Sequence, residues 1–146
     1  MIIMANRKIA VVIIIVVIVI LCLALLFGMF FTNKPSSSSQ IFIEQNWEYN
    51  DSPPHKIEIT DSEDYSFLLT LFSKRRLVLP DSPSCPFETL KITFEHNGKS
   101  LDFYPATDSC SIVQYGDKDK YFNISDEDRE RLCKLWQKYG FQEIYI

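Results

Sequence analysis

Glycine and histidine are scarce in this chain, with four and two copies in 146 residues. Four scattered glycines exclude a Gly-rich loop that cradles phosphates, and His55 and His96 alone offer little general acid–base chemistry. No two cysteines stand at a Cys-x2-4-Cys spacing, so the usual structural-zinc pattern is missing and no metal ligand, cofactor or catalytic residue is predicted. Acids are absent from residues 1–34, where the cations are Arg7, Lys8 and Lys34; all 19 Asp and Glu fall in residues 35–146, giving that part a net charge of −7. An acidic segment of this kind is unsuited to nucleic acid.

What the sequence does have is a long apolar run. From Ile9 to Phe31 only Gly28 lies outside the strongly apolar set. A helix over 9–31 would measure about 35 Å, against roughly 30 Å for a bilayer's hydrocarbon core. The run is too long for a cleaved signal peptide and lacks a small-residue cleavage site. The sequence therefore predicts a signal-anchor: a single transmembrane helix contacting the lipid bilayer through residues 9–31. The flanking cations predict a cytoplasmic tail over 1–8 and a single-pass protein of the plasma membrane with its C-terminal domain outside. Ala24 and Gly28 form a small-xxx-small pair at which two anchors can pack as a homodimer. A Ser-rich linker over 32–40 reads as a flexible tether.

Residues 41–146 suffice for one domain with a single, marginal core. Ile41 and Ile43, then Ile57 and Ile59, alternate as in half-buried strands. Thr60-x-x-Glu63 predicts a capping box, followed by a helix over 61–73 with Tyr65, Leu68, Leu69 and Phe72 as its core stripe. Asn97-Gly98 between alternating runs predicts a hairpin, and a second hairpin follows across Gly116. Ser125 caps a last helix with Leu132, Leu135, Trp136 and Tyr139 on its apolar face, Gly140 ends it, and Phe141 to Ile146 offers a terminal strand. The predicted class is α+β: an antiparallel sheet with two helices packed on one face, preceded by the transmembrane helix.

Three cysteines lie in this domain. Cys85 and Cys110 occupy turn-rich segments, while Cys133 neighbours apolar Leu132 on the last helix. A Cys85–Cys110 disulfide is the favoured pairing, and closing that loop is worth about 3.5 kcal/mol to a marginal domain. Cys110–Cys133 is the alternative. Phe67 and Leu71 form an i, i+4 pair outside the predicted core stripe. Either the segment 41–47 covers them, or they form a partner surface together with Trp47 and Tyr49.

The runs Asp81-Ser82-Pro83-Ser84-Cys85-Pro86-Phe87, Pro105-Ala106-Thr107-Asp108-Ser109-Cys110 and Lys120 to Arg129 resemble a group of small secreted or membrane-anchored bacterial domains with cysteine-bearing loops and no assigned activity. The resemblance spans residues 81–140. It implies an extracytoplasmic domain with cysteine-tied loops and no mechanism; a cysteine of that group stands where Thr107 is here. The sequence thus points to a membrane-anchored binding or accessory module, its partner a membrane or envelope protein. The alternatives are a small thiol-disulfide or hydrolase-type enzyme, or a structural subunit of a membrane complex.

Overall fold

The computed structural model describes residues 12–23, 34–46, 54–74, 76, 78–79, 83–87, 89–116 and 120–141. The chain divides into two compact units, residues 1–32 and 33–146.

In the first unit, helix α1 is described over residues 12–23, and its apolar side chains are exposed. The twelve described helical residues account for about 18 Å of the ~30 Å that a crossing takes. Among the described residues no helix is long and apolar enough to cross a membrane. This corrects the transmembrane part of the predicted fold class. The single-pass plasma-membrane location and the N-inside orientation rest on that span and fall with it. Residues 9–11 and 24–31, including Ala24 and Gly28, lie outside the described residues.

The second unit is an α+β domain built on one six-stranded sheet, antiparallel throughout. Its elements are β1 (Gln40–Gln45), β2 (His55–Glu58), α2 (Ser62–Ser73), β3 (Leu90–His96), β4 (Lys99–Pro105), β5 (Ile112–Tyr115), β6 (Tyr121–Asn123) and α3 (Asp126–Lys138). The spatial order is β2-β1-β3-β4-β5-β6. Each strand after β3 returns beside its predecessor, while α2 carries the chain from edge strand β2 back to β3 alongside β1. The predicted terminal strand after Phe141 lies outside the described residues.

Register aligns one apolar face. Ile41 sits opposite Phe94, Ile43 opposite Ile92, Ile92 opposite Phe103, Phe103 opposite Tyr115 and Val113 opposite Phe122. These side chains are buried in a single cluster with Phe67, Leu68, Leu71 and Phe72 of α2 and Leu132, Leu135 and Trp136 of α3. Phe72 reaches furthest across it, its ring centroid 4.4 Å from that of Phe103, 5.7 Å from Phe94 and 6.5 Å from Phe122. The Asn97-Gly98 turn carries φ of 51° and 71°, as a tight hairpin requires.

Local details depart from the sequence reading in three places. The N-cap of α2 is Asp61, not Thr60: its carboxylate accepts from the amides of Glu63 at 3.0 Å and Asp64 at 3.1 Å. A carboxylate at this position also offsets the helix dipole, which a threonine does not. The buried stripe of α2 is Phe67, Leu68, Leu71 and Phe72, with Tyr65 and Leu69 only partly buried. The helix is rotated because it packs against both the sheet and α3. Finally, residues 34–39 are not a free tether. The Tyr65 hydroxyl donates to the carbonyls of Ser37 and Ser39 at 3.0 and 2.9 Å, and Ser39 is buried.

Phe72→Ala removes the ring that joins three sheet phenylalanines and is expected to destabilise the domain by about 3–5 kcal/mol. Asp61→Ala removes the cap together with an exposed contact to Lys138, with an expected loss of about 1 kcal/mol. Urea denaturation of both variants checks the ranking.

Candidate functional site

Helices α2 and α3 lie on the same face of the sheet, and their outer sides enclose an open groove of about 380 Å³. Phe67 and Leu71 contribute its apolar floor, Ser66, Thr70 and Lys74 line the α2 side, and Asp128 and Arg131 line the α3 side. A smaller adjoining hollow of about 200 Å³ continues along Asp64, Lys134, Leu135 and Lys138. The odd Phe67–Leu71 pair of the sequence reading is therefore mostly buried, at 7% and 1% exposure, with its residual surface facing this groove. The cover comes from α3: the Arg131 guanidinium lies 4.3 Å from the Phe67 ring centroid. An arginine in that position adds a cation–π attraction to simple coverage. Trp47 and Tyr49, expected to share the surface, lie outside the described residues.

Charges pair across the groove. Arg131 meets Glu63 at 3.2 Å, both ends well exposed, so the pair contributes little to stability and rearranges readily. Further along, Lys138 contacts Asp64 at 2.6 Å and Asp61 at 3.4 Å, and the Tyr139 hydroxyl donates to Asp64 at 2.8 Å. Desolvation, helped by the Asp64 carboxylate that accepts its proton, pushes Tyr139 up to about 12. The hydrogen bond to Asp64 likewise raises Lys138, and the Asp64 amide with Lys138 holds Asp61 below its ordinary value. At the opposite end Arg76 donates to the carbonyls of Leu71 at 3.4 Å and Asn123 at 3.1 Å and approaches Asp128 at 3.9 Å. It ties the exit of α2 to the entrance of α3. Lys74, exposed at the groove edge, has no ion-pair partner among the described residues.

The sequence reading did not single out Arg131, Lys134 or Lys138. Their spacing puts three cations on one stripe of α3, facing the acids Asp61, Glu63 and Asp64 at the start of α2. Complementary stripes on two amphipathic helices are the signal that marks such a pairing.

A disulfide joins Cys85 and Cys110, with Cα atoms 6.5 Å apart. Cys133 is a free, half-buried thiol whose pKa is pushed up by burial, so it is a poor nucleophile at neutral pH. The two histidines stand apart from the groove residues. His55 Nε2 lies 3.4 Å from the Tyr139 carbonyl, with its ring edge-on to Phe141. His96 Nδ1 lies 3.2 Å from Ser38 Oγ at the exposed β3–β4 hairpin, where no cleft residue joins them. Comparison with protein-family models, curated proteins and solved structures finds no match, so the resemblance over residues 81–140 has no counterpart there.

With Tyr139 raised to about 12, its proton stays on in the folded chain while an unfolded phenol ionises near pH 10. The stabilisation is complete below about pH 10 and is lost as pH rises through about 12. A phenolate absorbance titration of wild type minus Tyr139→Phe is expected to show this late ionisation, and Asp64→Asn is expected to move it down. A midpoint near 10 in the wild type contradicts the contact.

Proposed function

We propose that the α+β domain is a binding module that docks a polypeptide partner in the groove between α2 and α3. The observation that carries this reading is the combination at the groove floor. Phe67, 7% exposed, keeps a small apolar surface open to solvent above the buried Leu71, bordered by Arg131 and by Lys74. Aromatic and arginine side chains around an apolar centre are the composition of protein-binding hot spots. The fitting segment presents one apolar side chain to the floor and a carboxylate next to it, which pairs with Lys74 at the edge. Glu63 and Arg131 form an exposed pair that exchanges partners at little expense, so a ligand carboxylate or ammonium can replace either half.

The groove suits a segment of chain better than an enclosed small molecule. It is shallow, open and edged by charge, whereas small-molecule sites bury most of the ligand in an apolar cavity. A catalytic role has less support: among the described lining residues the Ser66 hydroxyl donates to the Ser62 carbonyl and not to a carboxylate, and the raised Cys133 thiol is half-buried elsewhere on α3.

Photo-crosslinking residues placed at Ser66 and Thr70 are expected to capture a discrete polypeptide in the producing cell, whereas the same residue at Lys99 is not. The captured partner, once purified, is expected to bind wild type and to lose about tenfold or more in affinity, roughly 1.4 kcal/mol, with Thr70→Arg, an exposed change that leaves the core intact. Equal binding by Thr70→Arg, or equal capture from Lys99, overturns the proposal.

A further inference from the structure

We propose that Cys85, Cys110 and Asp108 form, once the disulfide is reduced, a binding site for a thiophilic divalent cation such as Zn²⁺. The two sulfurs and an Asp108 carboxylate oxygen lie within 4.8 Å of one another, and all three residues are half-exposed. The carboxylate is held in place from one side: Asp108 Oδ1 accepts from the Cys110 amide at 2.9 Å. This leaves Oδ2 facing the Cys110 sulfur at 3.3 Å. A disulfide sulfur has no proton to give that oxygen, so a charged acceptor stands beside the sulfur with no hydrogen bond between them, the placement a shared cation would use.

The two cysteine segments are joined independently of their sulfurs. Thr107 donates to the Pro86 carbonyl from its amide at 2.9 Å and from its hydroxyl at 3.4 Å. Reduction therefore releases the side chains without separating the loops. Tetrahedral zinc holds thiolates at about 2.3 Å, which sets neighbouring sulfurs about 3.8 Å apart. Rotation of two released side chains supplies that opening. Cys85, Cys110 and Asp108 give three ligands, and the half-exposed position leaves the fourth to water.

The chemistry balances with a dithiol as reductant. It transfers two electrons and two protons to the Cys85–Cys110 bond, which becomes two thiols, while the dithiol closes to its own disulfide. Cation binding then displaces the two thiol protons to solvent. The sequence spacing hides this site because the ligands meet through the fold and not through a local motif.

Cd²⁺ titration of the full chain, reduced with a phosphine and freed of it under nitrogen, tests the assignment through the thiolate-to-cadmium absorption in the near ultraviolet. The reduced chain is expected to saturate at one ion per molecule with two thiolates, to release Cd²⁺ to Zn²⁺ and to remain folded by circular dichroism in the metal-bound form. The oxidised chain is expected to show no band. Asp108→Asn keeps the oxygen that accepts from the Cys110 amide and removes the charge. Its affinity is expected to fall about tenfold or more, whereas Cys133→Ser changes nothing. No saturable band in the reduced chain, equal affinity in Asp108→Asn, or loss of the band in Cys133→Ser overturns the proposal.

Discussion

The Phe72 ring, set among Phe94, Phe103 and Phe122, is the contact on which the domain's organisation depends. It fixes the depth and rotation of α2 over strands β3, β4 and β6 at once. With that rotation set, Leu68 joins Phe72 against the sheet, and Phe67 and Leu71 turn towards α3. The groove is a consequence of this geometry. A helix that buries a broad arc against two neighbours leaves the outer edge of that arc as the floor of the cleft between them.

The ends of the two helices are then secured by polar contacts of different kinds. Asp64 gathers Lys138 and the Tyr139 hydroxyl at one end, partly shielded from water. Arg76 bridges the exit of α2 and the entrance of α3 at the other, with its guanidinium also over the Phe122 ring. Between these two clamps the pairs are exposed and individually weak. Stable ends and a lightly paired middle form an arrangement in which a ligand displaces surface contacts without disturbing the core.

Much of the domain's local structure can be read from short-range chemistry. Asn97-Gly98 marks a hairpin because few other pairs accept two successive positive φ values. Ser125 and Gly140 bracket α3, with the Gly140 amide returning to the Gln137 carbonyl at 3.1 Å. The pairing of Cys85 with Cys110 follows from their turn-rich settings. What stayed hidden depends on distant partners. Tyr65 pins Ser37 and Ser39 from 28 and 26 residues away, which turns a serine-rich stretch into ordered chain. The phase of α2 differs from its apolar periodicity because α3 supplies a second covering surface that periodicity alone does not reveal. Phe67 and Leu71 stood out as unexplained apolar residues, yet the cations facing them came into view only with the fold.

The central claim is that α2, α3 and the sheet form one cooperative unit with the groove as its fixed surface feature. Native-state hydrogen exchange tests it most directly. The account predicts that amides of Leu68–Phe72, Ile92–Phe94 and Leu132–Trp136 exchange with a common opening free energy close to that of global unfolding. Opening of α2 at a free energy several kcal/mol below that of the sheet would contradict it, since the groove would then have no persistent floor.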